Sequence, residues 1–320
     1  MISIRLKDKK ESIENIFWDW FYRYHLKEFL NILSKDEVLQ KIIFSDIQSY
    51  TDWEKMITKY KETDYKILKQ FFFSLPNEHV QYCKKMNNIK INKYSEKFFF
   101  DRYANFRKSQ IPKIIKVLGI HSCPYCNRSF IDVYYDKKST NPNKFNGDID
   151  HYFPKSKYSY LALCIYNLIP CCKTCNHEKS EKDKRNFHPY VDDDRSYRFK
   201  TEFESEITDF DYLYGLSDRF SIKLFDYLDE RKIDRLEKSI DMFHLKDKYK
   251  NKNMNEFAKN IIRKAYIYNS VYLDKFIEQY NEVLTKEEII KIVFDYDEKS
   301  FLDKPLSKLK FDLMKEFDVI

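Results

Sequence analysis

Four cysteines, an Asp-His dipeptide and two asparagines follow one another in a fixed order between residues 121 and 183. The cysteines form two Cys-x-x-Cys pairs, Cys123/Cys126 and Cys172/Cys175. A Cys-x-x-Cys turn brings two sulfurs close enough to share one tetrahedral ion, and two such turns complete a four-thiolate zinc site. That shell leaves no open coordination position, so the zinc it implies is structural. The stretch from 127 to 171 separates the pairs, and an ion held by both would staple a long loop, its binding free energy becoming folding free energy. Pro124 and Asn127 beside one pair, and Pro170 and Asn176 beside the other, supply turn chemistry. Cys171 offers a rival Cys-x-x-x-Cys spacing with Cys175, which leaves the ligand choice at that end open. An odd total of 7 cysteines and the lack of a secretory signal segment favour a reducing, cytoplasmic compartment over a disulfide framework. Cys83 and Cys164 read as core residues.

Between the cysteine pairs runs Gly-Asp-Ile-Asp-His-Tyr-Phe, a stretch with strand alternation that holds Asp148, Asp150 and His151. Neighbours on a strand point to opposite faces, so Asp150 and His151 need a bend to converge on one substrate. Pro154 and Ser156 end the strand, an apolar helix or irregular segment spans 158–166, and Asn167 opens a second strand-like run through Pro170. A polar helix is expected from about Asn176 to Lys184. This is a hairpin followed by a helix, with a carboxylate and an imidazole on the hairpin and an amide at the helix start. A hard divalent ion such as Mg²⁺ or Mn²⁺ takes oxygen ligands and keeps several waters, and Asp150 with the side-chain oxygen of Asn176 offers such ligands. Neutral His151 suits removal of a proton from an attacking water near pH 7. Lys179 or Lys182, on the same helix, is placed to clamp a neighbouring phosphate.

With these residues in view, the window resembles the HNH, or ββα-metal, nuclease family, including the HNH domain of RNA-guided CRISPR nucleases and McrA-like restriction and phage-defence nucleases. Asp150, His151, Pro154 and Ser156 match its Asp-His-x-x-Pro-x-Ser block, Asn167 its middle asparagine, and Cys175, Asn176 and Lys179 its closing Cys-Asn-x-x-Lys. The resemblance implies His151 as general base, Asp150 and Asn176 as ligands of the catalytic ion, and Asn167 as the residue that orients the hairpin through backbone hydrogen bonds. It implies cleavage leaving 5′-phosphate and 3′-hydroxyl ends, on DNA in the first instance. The third signature position is often His in the family; here it is Asn176, and the adjacent His177 remains a candidate ligand. Stand-alone members with large helical flanks resemble nuclease subunits of Septu-type anti-phage defence, which pair with an ABC- or SMC-like ATPase. This chain has no Gly-x-x-x-x-Gly-Lys-Ser/Thr loop, so ATP dependence would come from such a partner.

The elements that must position these residues are expected to be mostly helices. With 3 glycines, 34% charged and 18% aromatic residues, the chain points to long helices with wide aromatic stripes. No run reaches the roughly 18–20 apolar residues of a membrane span. The expected organisation is mainly α with a small α+β insert: an N-terminal helical region over 1–118, a ββα-metal domain with its four-cysteine zinc site over 119–190, and a mostly helical region over 191–320. Helices are expected over Ser12–Leu33, Asp36–Ile47, Asp52–Phe73, Glu96–Leu118 and within 228–284, and a small sheet over Tyr197–Phe203 and Phe220–Leu224. Trp18, Trp20, Phe98, Phe99 and Phe100 read as core. Net charge is +7, and residues 121–190 carry 11 Lys plus Arg against 7 Asp plus Glu, compatible with phosphate contacts without requiring them. Two other classes compete: a catalytically silent, zinc-stabilised module that binds nucleic acid or protein, and a thiol redox protein. The second lacks the βαβ context that a redox Cys-x-x-Cys needs.

Overall fold

The computed structural model describes residues 1–44, 61, 63–86, 89–182, 186–203, 209–226, 230–280, 284–296 and 301–320. The chain is mainly helical with small antiparallel sheets, and it divides into two compact units. One comprises 4–120 and 131–183; the other comprises 1–3, 121–130 and 184–320. These units cut across the three consecutive regions expected from the sequence.

The unit formed by 4–120 and 131–183 begins with α1 (Lys10–Tyr24), α2 (Leu26–Leu33), α3 (Glu37–Ile43), α4 (Lys66–Phe72), α5 (Pro76–Met86), α6 (Lys93–Ser109) and α7 (Ile111–Leu118). Its core is aromatic. Phe17, Phe21, Phe29, Phe72, Phe99 and Phe106 are fully buried, and the Phe21 and Phe72 rings meet at 4.6 Å. Trp18, Trp20, Phe98 and Phe99 lie in this core as expected, while Phe100 is only half-buried. Asp36 and Asn92 cap α3 and α6, each side chain accepting a hydrogen bond from the amide three residues on.

Two expected helices are each broken in two. The Ser12–Leu33 helix stops at Tyr24 and restarts at Leu26; His25 carries no sequence breaker, and its ring packs 4.4 Å from that of Trp20 inside the core. The Glu96–Leu118 helix breaks at Gln110 because Pro112 has no N–H to give the Lys108 carbonyl; the Asn141 side chain donates to that carbonyl instead. Gly119, at φ +60°, closes α7 in the left-handed conformation that glycine adopts without strain. The Asp36–Ile47 and Asp52–Phe73 expectations fall partly outside the described residues.

Two hairpins follow. Strands β1 (Val133–Tyr135) and β2 (Asn143–Phe145) form a two-stranded ribbon, with Tyr134 opposite Lys144. Strands β3 (Asp148–His151) and β4 (Leu168–Cys171) pair antiparallel, with Asp150 opposite Ile169 and His151 opposite Leu168. Helix α8 (Lys173–Lys179) follows directly, so the local order is strand, strand, helix. Its N-cap is Cys172, which puts Asn176 inside the helix rather than at its start.

The other unit carries the expected small sheet: β5 (Tyr197–Phe203) pairs antiparallel with β6 (Phe220–Asp226). Around it are α9 (Glu230–Met242), α10 (Leu245–Tyr249), α11 (Lys252–Ile267), α12 (Ser270–Tyr280), α13 (Lys286–Phe294) and α14 (Ser307–Glu316). Strand β5 is tied to α14 through Phe199 N–H to Asp312, and Lys308 pairs with Asp312 in the interior at 2.6 Å. No helix among the described residues is long and apolar enough to cross a membrane.

Candidate functional site

Each cysteine pair is shaped by its own turn. In the first, Cys123 N–H donates to Ser129 O, and Asn127 N–H donates to Cys123 O at 2.7 Å. Arg128 N–H points at the Cys126 sulfur at 3.5 Å. Asn127 sits at φ +51°, a conformation asparagine tolerates better than most residues. Its side chain holds the turn, donating to Ser122 Oγ and Phe301 O and accepting from Lys308 N–H. Sequence reasoning took Asn127 for a turn former and missed this clamp. In the second pair, Cys175 N–H points at the Cys172 sulfur at 3.5 Å. N–H groups aimed at sulfur favour the thiolate form that binds metal. The ligand atoms of Cys123, Cys126, Cys172 and Cys175 all lie within 4.8 Å of one another and the four residues are buried, so they could hold a metal ion. A tetrahedral four-thiolate zinc site needs sulfurs about 3.8 Å apart. Cys171 is buried in β4 and outside this group.

A second site lies wholly within the 4–120 and 131–183 unit. It is a cleft of about 690 Å³ whose lining includes Asp148, Asp150, His151, Lys155 and Asn176. Helix α6 forms one wall: Glu96, Phe100, Tyr103 and Arg107 line it, and their spacing of 4, 3 and 4 residues sets them on one helical face. The strand alternation of β3 puts Asp148 and Asp150 on the same side. Asp148 accepts from Arg107 Nη2 at 2.5 Å and from Asn176 Nδ2 at 2.5 Å. Asp150 is 2% exposed and pairs with the fully buried Lys179 ammonium at 2.9 Å; Lys179 also donates to the His151 carbonyl at 2.8 Å.

His151 is nearly buried, with the Tyr103 ring 4.4 Å away. Its Nε2 lies 3.2 Å from the Ala162 carbonyl. A carbonyl only accepts, so Nε2 carries the proton and Nδ1 is the unprotonated nitrogen. Burial, reinforced by Lys155, pushes the imidazole down to about 3, so it is neutral near pH 7. Asn167 is fully buried and bridges the loop between the strands: Phe153 N–H donates to its Oδ1 at 2.7 Å, and its Nδ2 donates to Phe153 O and Leu161 O.

The sequence-predicted residues therefore separate. Asp150, His151 and Asn176 line one cleft. Lys179 is turned inward onto Asp150, because a buried carboxylate needs a counter-charge; it presents no ammonium to a phosphate at the surface. Lys182 is exposed beyond the end of α8, and His177 lines the cleft from the exposed face of that helix. Sequence reasoning gave no role to Asp148, Arg107 or Lys155, all of which line the cleft. The spacing from Glu96 to Arg107 and the alternation of Asp148 with Asp150 were the available signals. The cleft oxygens of Asp148, Asp150 and Asn176 are of the hard type that a magnesium-class ion takes, and one Asp150 oxygen is shared with Lys179. No family model, curated protein or solved structure matches this chain.

Proposed function

We propose that the chain is a metal-dependent endonuclease of the HNH kind that hydrolyses phosphodiester bonds in nucleic acid, with DNA as the first substrate to test. One observation carries the reading: a neutral histidine held through Nε2 on a backbone carbonyl, its Nδ1 free of a proton, in the same cleft as two aspartates and an asparagine. In this reading His151 Nδ1 accepts the proton of the attacking water. Burial keeps His151 neutral and therefore able to accept a proton, though as a weak base. Asp150 and Asn176 would hold the divalent ion, Mg²⁺ or Mn²⁺, with Asp148 beside them; bound there, the ion supplies charge that offsets the charge developing on the phosphate and the leaving oxygen. Asn167 fixes the loop after β3, and with it the position of His151, through its three backbone hydrogen bonds. The four cysteines would carry one structural zinc.

The Lys179–Asp150 pair favours a second reading, a catalytically silent module whose buried carboxylate is already neutralised. Work in anti-phage defence beside an ABC- or SMC-like ATPase rests on the sequence resemblance alone. Incubation of plasmid DNA with purified protein in Mg²⁺ or Mn²⁺, beside an EDTA control, separates the two readings. Ion-dependent nicking or linearisation supports the nuclease, and intact plasmid at every ion concentration supports the silent module.

A further inference from the structure

The β1–β2 ribbon buries little. Its three-residue strands carry Tyr134 and Tyr135 at 54% and 64% exposure, one on each face of the ribbon. A lone two-stranded hairpin is marginal in water, so something must hold it. The ribbon is fixed to the break between α6 and α7: Lys116 Nζ donates to Asn143 Oδ1 at 2.7 Å, and Asn141 donates to the Lys108 carbonyl that Pro112 leaves open.

The charge of this surface is one-sided. Over 107–118 and 131–146 there are seven basic side chains and two carboxylates, Asp132 and Asp136. Lys108, Lys113 and Lys116 are exposed on the helices, and Lys137 and Lys138 are exposed at the ribbon tip. Arg107, next along α6, lines the cleft beside Asp148. Exposed lysines therefore stand on the ribbon tip and on the helices to which the ribbon is fixed, as far as Arg107, which pairs with Asp148 at the cleft, and two exposed tyrosines stand out of the ribbon.

We propose that the β1–β2 ribbon, with α7 and the end of α6, is a DNA-binding arm that leads duplex DNA to the His151 cleft; this rests on the reading of that cleft as a phosphodiesterase site. Lysines at the tip neutralise backbone phosphates, and a two-stranded ribbon is narrow enough for the major groove of B-form DNA. The deep, narrow major groove of A-form RNA excludes such a ribbon, so duplex DNA is the occupant.

The test measures binding in EDTA, where no cutting occurs, by fluorescence anisotropy of a labelled DNA duplex across a salt series. Each phosphate contact contributes about 0.9 to the slope of log K against log salt. The Lys137→Gln/Lys138→Gln double variant is expected to lower that slope by nearly 2 and to weaken binding about tenfold or more at moderate salt. Tyr134→Ala/Tyr135→Ala is expected to weaken binding with the slope kept. Lys27→Gln/Lys41→Gln, an equal charge change at exposed sites on α2 and α3, is expected to leave the slope unchanged. Equal slopes for wild type and the tip variant would overturn the arm. So would an equal loss in the Lys27/Lys41 control, tighter binding of duplex RNA of the same sequence, or no DNA binding by the wild type. Cutting is scored separately in Mg²⁺ or Mn²⁺: a wild type that binds through the ribbon yet never cuts supports the arm and removes the nuclease reading.

Discussion

At the residue scale the cleft is governed by which polar groups are buried and with what. Lys179 and Asp150 lie together in the interior, so removing one takes away the counter-charge of the other. Lys179→Met is expected to cost about 3–5 kcal/mol in urea unfolding, and the double change Asp150→Asn/Lys179→Met to recover much of it. No recovery would mean that the two groups are not coupled. His79, fully buried against Ser74 Oγ at 2.9 Å, is pushed down to about 3 by burial. Its folded value lies below its unfolded one, so the unfolded chain binds the extra proton first. Stability is therefore unaffected above about pH 6.5 and falls as pH drops from there toward 3. Between pH 7 and pH 5 this group alone is expected to remove about 2 kcal/mol, and His79→Gln to lessen the fall of the urea midpoint over that range by its share. The order of Asp150, His151 and Asn176 in the sequence led to the expectation that they share one site, and all three line the cleft. The inward turn of Lys179 was not legible: a lysine at that spacing reads as a helix-surface residue until the burial of Asp150 is known.

At the element scale the connection between β3 and β4 is tied by the side-chain amide of Asn167. Asn167 satisfies three backbone groups around Phe153 and Leu161, and none of them has water to turn to. Asn167→Ala is expected to destabilise by several kcal/mol, at about 1–3 kcal/mol for each group left unpaired, and to loosen the loop that carries Pro154 and Lys155. Hydrogen exchange of the Phe153 amide measures it: the amide is protected in the wild type and fast in the variant, and unchanged protection would contradict this role. The strand–strand–helix order, both broad helical regions and the β5–β6 pair were visible as period and alternation. Helix ends were not. The break at Gln110 follows from Pro112, a signal present in the sequence, whereas the break at His25, whose ring packs against Trp20, has no local signature. The start of α8 was misplaced because Cys172, an uncommon N-cap, takes the position that Asn176 seemed suited to fill.

At the scale of the whole molecule, the fold combines an aromatic helical core with a four-cysteine cluster, and the second was plain from spacing alone. What spacing could not reveal is that the cleft takes a wall from α6, outside the 119–190 window. That wall depends on tertiary packing of a helix whose Glu96, Phe100, Tyr103 and Arg107 face looks like any amphipathic stripe. The cysteine cluster is expected to bind one zinc per chain, and its removal by a strong chelator to lower the melting temperature sharply, as metal binding is coupled to folding. Elemental analysis beside thermal melts checks this, and Cys175→Ser is expected to reproduce the chelator effect. A metal-free chain that melts as the loaded one does would contradict a structural role. If His151 is the base of a hydrolytic site, DNA cleavage with Mg²⁺ or Mn²⁺ must distinguish wild type from His151→Ala, both proteins folded and with equal zinc content. Ion-dependent cutting by the wild type and loss of at least a hundredfold in the variant are expected; equal cutting by the two, or none by either, would rule out His151 as the base.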